Sequence, residues 1–331
     1  MQALQPAQHF LPGAVLGIAK LGVWLVLLSA VFVPLERLFA VRPQRIFRRQ
    51  LGVDLGYYFL SGLIPSLLLG TPMALLAWAV HATMPAAIGA TVAQWPTWLR
   101  IAAAMVVGEI GFYWGHRWSH EIPLLWQFHA IHHSAEQVDW LVNTRAHPVD
   151  MVFTRLCGFV PLYVLGLAAP LAGIAGAIPM LVLLLGMVWG FFVHANLRWR
   201  FGPLEWVVAT PAFHHWHHTN DGPAYVDKNY APMLPWVDCL FGTFHLPKVQ
   251  RPSRYGTNHP VPSGLFAQLL EPFMWRLPGS PRPPGSPSTE PRPMESIPPP
   301  GPDEARSQVV MESTREQDLR LASAAADDLP P

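Results

Sequence analysis

The sequence predicts an all-α integral membrane protein with about five transmembrane helices and a histidine-rich helical cap on the cytosolic side. Three observations carry that prediction. Hydrophobic residues make up 51% of the 331 residues and charged ones 13%, against roughly 25% charged in a soluble domain. The apolar residues gather into runs that match or exceed the ~20 residues of a membrane span. There are 15 histidines beside 22 Lys and Arg, and 11 of them fall between His116 and His218. The same composition excludes disorder of the whole chain, because 14 Trp and 17 Phe are foreign to disordered sequences. A net charge of +1 argues against a nucleic-acid partner.

The first apolar run, about Ala14 to Leu35, has no Lys or Arg before Lys20, so it reads as a retained span and not as a cleaved signal. Arg37, Arg42, Arg45, Arg48 and Arg49 follow it and place that end inside, with the N-terminus outside. A second span covers about Leu55 to Val80; its Gly62, Pro65, Gly70 and Pro72 are tolerated in a membrane helix. The uncharged stretch His81 to Pro96 reads as an outer connector. The third span, about Trp98 to Trp114, returns inward. Met151 to Ala195 is too long for one span, and Pro170, Gly173 and Gly176 divide it into a helical hairpin with an outer turn. It ends beside Arg198 and Arg200, again basic and again inside. The arrangement fits a multi-pass protein of a bacterial inner membrane with a cytoplasmic C-terminus. A four-span version with one re-entrant stretch is the alternative.

Three regions follow: N-terminal helices and a basic inner loop over 1–96, a core over 97–275, and a tail over 276–331. In the tail six Arg face nine acids, and 13 of the 36 prolines fall there. Such a segment buries no apolar surface and reads as disordered. Cys157 and Cys239 form no CxxC motif, and both read as buried thiols.

The histidines fall into spaced groups. His116 and His120 form an HxxxH pair. His129, His132 and His133 form HxxHH, and His214, His217 and His218 form a second HxxHH within His214-His215-Trp216-His217-His218. Spacings of three and four put imidazoles on one face of a helix. With His194, at the inner end of the last span, nine ligands are available. One zinc ion takes four, so nine imply two metal ions of higher coordination number, with iron, zinc, copper and nickel all compatible with neutral imidazole. His215 faces differently from its neighbours. His147 is either a further ligand or a supporting donor. Glu109, Asp139 and Asp238 are candidate acceptors for imidazole N–H groups. A metal transporter is disfavoured, because the spans hold almost no polar path apart from Glu109.

These motifs resemble the fatty acid hydroxylase / sterol desaturase superfamily. The likeness covers about residues 100–250. It includes Glu109 upstream of the first pair, Arg145 and His147 in an Arg-x-His-Pro stretch, Asn229-Tyr230, and Asp238 to Thr243 as Asp-x-x-Phe-Gly-Thr. The resemblance implies two iron ions, O2 as co-substrate, and hydroxylation or desaturation of an unactivated C–H position of a membrane lipid of sterol or fatty-acyl type. Carotenoid hydroxylation and ether-lipid oxygenation use the same metal chemistry and remain alternatives. Asp150 stands where many members carry Glu and Ala231 where Gly is common; neither is expected to touch the ligands. No His-Pro-Gly-Gly marks a fused cytochrome b5, so an external electron-transfer protein is expected.

Overall fold

The computed structural model of the chain describes residues 5–168 and 178–274. Among these residues there are ten α-helices and no strand; a single isolated bridge joins Ala40 to Leu197. The expected disordered tail and the outer turn around Pro170, Gly173 and Gly176 lie outside the described residues.

Helices α1 (Gln5–Phe39) and α2 (Leu51–Thr83) are longer than the apolar runs suggest. Within them Val15–Phe39 and Leu51–Thr83 are long and apolar enough to cross a membrane, judged by length and composition. The rest of the chain barely covers them: Val26, Leu67 and Trp78 are 66%, 69% and 70% exposed. An uncovered apolar face of that length suits lipid, not water. The stretch after α2 is not an open connector but holds a short helix, α3 (Ala86–Ala93). The third expected span is helix α4 (Thr97–Glu121), which runs on past Trp114 to include the first histidine pair.

Three helices begin at a proline in the first turn, where its missing N–H costs nothing. These are α5 (Pro123–His133), α6 (Pro148–Val164) and α8 (Pro211–His217). Thr210 caps α8 by accepting from the Phe213 N–H at 3.4 Å. Helix α7 (Ile178–His194) follows the undescribed turn, and α9 (Trp236–Phe241) ends at Gly242, whose φ of 76° is left-handed. Helix α10 (Leu265–Met274) closes the described chain and leaves Phe266, Leu270 and Phe273 exposed.

Helices α4 and α6 pack closely because glycine lines the contact. A Cβ on Gly111 would run into the Cys157 carbonyl, and one on Gly115 would lie 2.7 Å from Cys157 Cβ. A cluster of Leu28, Phe32, Trp140, Phe191 and Leu197 joins α1 and α7 to the 3-10 turn Trp140–Thr144. A second, of Tyr113, Tyr230 and Val237, fixes α4 to the segment before α9. Cys157 is half-buried and Cys239 is exposed, which corrects the expectation of two buried thiols.

Candidate metal centre

The nine histidines singled out by spacing come together, in two groups. His116 and His120 of α4, His129 and His133 of α5 and His217 of α8 form one. His132 of α5, His194 of α7, His214 of α8 and His218 just after it form the other. Within each group the ligand atoms all lie within 4.8 Å of one another. The groups adjoin: the rings of His133 and His218 stack with centroids 4.6 Å apart. Helices α5 and α8 each supply both groups, so the three histidines of an HxxHH run do not serve one ion together.

The hydrogen bonds of the outer ring nitrogens decide what the inner ones can do. Nδ1–H of His116 donates to the Tyr230 carbonyl at 2.7 Å, His132 to Arg145 at 3.0 Å, His194 to Gly190 at 2.7 Å and His217 to Lys228 at 2.9 Å. His129 Nδ1–H donates to the Asp150 carboxylate at 3.0 Å, and His120 Nδ1–H to Asp227 at 3.2 Å. A carbonyl or carboxylate oxygen only accepts, so each of these Nδ1 atoms carries the proton and each Nε2 is a bare lone pair. Yet Nε2 of His116 lies 3.2 Å from Nε2 of His129, and Nε2 of His132 lies 3.3 Å from Nε2 of His194. Two lone pairs at that distance repel unless a cation lies between them. One such pair occurs in each group. His120 Nε2 is buried and without a hydrogen-bond partner.

Protonation does not relieve the clash of His132 with His194, and Nε2 of His116 stays bare. Burial, with repulsion from the His129 ring, pushes His116 down to about 3; the same causes bring His132 to about 3. Burial and neighbouring imidazoles hold His120, His133, His214, His217 and His218 well below the ordinary histidine range. Burial pushes Asp150 up, but the His129 charge and hydrogen bond outweigh it, so its carboxyl sits below its ordinary value. Eight of the nine imidazoles are therefore held neutral, and six of the nine have Nδ1–H fixed by an oxygen acceptor, a donor set that fits two transition-metal ions of borderline softness.

Several supporting roles differ from expectation. Asp139 pairs with Arg48 at 2.6 Å and caps the 3-10 turn. Glu109 accepts from the Met233 and Leu234 N–H groups at 2.7 and 2.6 Å. Asp238 accepts from the N–H groups of Tyr230 and Ala231 and from the Thr243 hydroxyl at 2.7–2.9 Å. None of the three bonds to an imidazole. Asp238 acts one step further out, by fixing the Tyr230 peptide whose carbonyl orients His116. The carboxylates that do hold imidazoles are Asp150 and Asp227, so Asp150 touches the proposed ligands after all. Ala231 does not; only its N–H is used, by Asp238.

His147 is neither ligand nor support. Its Nδ1 accepts from Val149 N–H at 3.1 Å, which leaves Nε2–H to donate to the Leu269 carbonyl at 3.1 Å. His215 points away from both groups: Nε2–H donates to the His194 carbonyl at 3.1 Å, and Nδ1 accepts from the Tyr255 hydroxyl at 2.9 Å.

The loop before α9 was not singled out by motif beyond Asn229-Tyr230. Asp227 and Asn229 both have a φ of 59°, a left-handed conformation that Asp and Asn tolerate better than other side chains. That conformation turns the Lys228 and Tyr230 carbonyls toward His217 and His116. Asn229 locks it, donating to the Phe213 and His245 carbonyls at 2.9 and 2.7 Å. On the opposite side Arg145 is fully buried. It pairs with Asp54 at 2.5 Å and donates to Gln50 at 2.7 Å, which fixes the peptide that receives His132.

Residues 101–243 match the fatty acid hydroxylase family. All nine clustered histidines lie inside the matched segment. An ornithine lipid hydroxylase of Rhizobium tropici is 37% identical over 181 residues, which is 54% of this chain and 52% of the relative. Alkylglycerol monooxygenases of Danio rerio and Homo sapiens are 32% and 30% identical, covering 55% and 46% of this chain and 38% and 32% of theirs. The chain thus spans about half or less of the length of these curated relatives. No solved structure matches it.

Proposed function

We propose that this chain is an O2-dependent membrane oxidoreductase that hydroxylates an unactivated C–H position of a membrane lipid, using two iron ions. One ion is assigned to His116, His120, His129, His133 and His217, and the other to His132, His194, His214 and His218. The observation that carries the reading is the close approach of Nε2 atoms on rings whose Nδ1–H is already committed to an oxygen, once in each group. Bound there, two ferrous ions supply the reduction of O2 and the removal of hydrogen from the lipid. One oxygen atom enters the lipid and the other leaves as water, which consumes two electrons and two protons.

The protein's own work is positional. Carbonyls and carboxylates fix six of the nine imidazoles in one tautomer and orientation before metal arrives. The aromatic residues around the groups, Tyr230 and Trp126 among them, exclude water from the reacting centre. In this reading the centre lies at the inner ends of α4 and α7, where a lipid arrives from the bilayer and electrons from the cytosol. Two spans, α1 and α2, with α4, α6 and α7 as three further crossings, make the five-span topology. N-terminus outside and C-terminus inside follow from the Arg-rich stretch after α1.

The test is a lipid profile by mass spectrometry of bacterial membranes holding the protein or its His217→Ala variant. A lipid class that gains one oxygen atom only with the wild type is expected. No shift in any class sinks the reading, and loss of two hydrogens makes the enzyme a desaturase. A second reading comes from the alkylglycerol monooxygenase relatives. Oxygen inserted beside an ether oxygen gives a hemiacetal, which falls apart to an aldehyde and an alcohol, so loss of ether lipid with release of fatty aldehyde would favour it.

A further inference from the structure

The proposed reaction draws electrons from outside the chain, and one face of the protein is built to receive them. Six cations lie together at the inner end of α1 and α7: Arg42, Arg198, Arg200, Lys248, Arg251 and Arg254. Backbone contacts hold them as one surface. Arg251 donates to the Arg198 and Trp199 carbonyls at 3.0 and 3.2 Å, and Arg200 to those of Pro247 and Lys248 at 2.9 and 3.0 Å. Arg42 reaches the Pro252 carbonyl, and Arg254 the Asn220 carbonyl at 3.1 Å. The carboxylates seated among them are occupied. Glu205 is buried against Arg200 at 3.0 Å, and Asp221 accepts from Ser253 and the Arg254 N–H at 2.7 Å. Glu136 lies at the edge, beside Gly256. Arg198, Lys248 and Arg254 are exposed.

Beneath this surface runs a short chain of contacts to the second histidine group. The Arg42 guanidinium lies over the Tyr255 ring at 5.2 Å. The Tyr255 hydroxyl donates to His215 Nδ1 at 2.9 Å, and His215 Nε2–H donates to the carbonyl of His194 at 3.1 Å. His194 is one of the four proposed ligands of that group.

We propose that this basic face docks a small acidic one-electron carrier, of the iron–sulfur or flavin class, and that Tyr255 and His215 connect it to the His194 group. The inference rests on the functional reading above and names the partner for it. Each docking event oxidises the carrier by one electron. Two such deliveries, with two protons, O2 and the lipid, balance the hydroxylated lipid and water. Charge complementarity favours an acidic protein, and the buried path from the middle of the patch to a ligand favours a redox partner over a lipid headgroup.

The experiment uses the whole iron-loaded protein in phosphatidylcholine nanodiscs, with a plant-type ferredoxin and a flavodoxin as acidic probes. Wild type is expected to bind at least one of them, with an affinity that falls as salt rises. The triple variant Arg198→Glu, Lys248→Glu, Arg254→Glu is expected to lose about tenfold in affinity or more, with iron content unchanged. Tyr255→Phe is expected to bind as wild type does and to accept electrons more slowly. Equal affinity of the triple variant and wild type overturns the docking surface, as does failure of wild type to bind either probe. If native mass spectrometry shows that the triple variant loses only retained phosphatidylglycerol, the patch serves the membrane and the proposal fails. Binding is read without product, so a protein that binds the carrier but oxygenates no lipid sinks the functional reading alone.

Discussion

The two histidine groups are alike in ligand type and unlike in what orients them. In the group around His116, two of the imidazoles donate to carboxylates, His129 to Asp150 and His120 to Asp227. In the group around His194, the hydrogen bonds run to peptide carbonyls, those of Gly190 and Arg145, and His214 Nδ1 is buried without a partner. A carboxylate raises the basicity of the imidazole it holds and adds a negative charge near the ion; a carbonyl only fixes the ring. The first group is therefore expected to be the tighter site and the second the more easily emptied one. A chelator titration of the loaded protein should release its metal in two steps.

The strongest way to break that contrast is to remove a ligand from each side. His217→Ala and His132→Ala should each abolish lipid oxidation and leave one ion in place, measured by metal analysis of the purified protein. Retention of both ions by either variant would remove that residue from the ligand set. Next in size is Asp54→Asn. It strips the buried Arg145 of its carboxylate, and breaking such a pair costs about 3–5 kcal/mol. Thermal unfolding should show the loss, and the group that contains His132 should loosen first, because the Arg145 carbonyl holds that ring.

A smaller effect sharpens the comparison directly. Asp150→Ala removes the carboxylate from His129 and should cost about 10–100-fold in metal affinity at the first group alone. The two chelation steps should then merge. Acid should act on both groups. His116 and His132 sit at about 3 in the folded chain against 6.5 when unfolded. Between those values the unfolded state binds more protons, so stability rises with pH. Metal-free protein should lose melting temperature as pH falls below about 6.5, with the loss continuing toward about 3. A flat profile would show that the rings are not buried neutral. The smallest effect expected is that of truncation beyond Pro278, which should leave metal content and activity unchanged.

Much of the site was legible from spacing. A helix repeats every 3.6 residues, so the HxxxH and HxxHH runs had to present imidazoles on shared faces, and the chain then folds to bring all nine into two clusters. The supporting residues were not legible in the same way. Asp139, Glu109 and Asp238 are acids near the right helices, but each is spent on an arginine or on backbone N–H groups. Asp150 looked like a neutral variant and turned out to hold a ligand. His147 shared the composition signal and is a helix cap. The proline that opens α5, α6 and α8 was a usable start signal, and it fixes where each of these helices begins.

The sequence by itself determined that the protein is helical and membrane-like, and which nine histidines gather, because helical period and apolar run length are local properties. Only the tertiary structure decided how the nine divide into five and four. Helices α5 and α8 lie between the two groups, and a ring goes to whichever side its turn of the helix faces. It also decided what fixes each tautomer. Most of those partners are peptide carbonyls, at Tyr230, Lys228, Arg145 and Gly190. Every residue has a carbonyl, so no side-chain pattern announces which one will be aimed at a histidine.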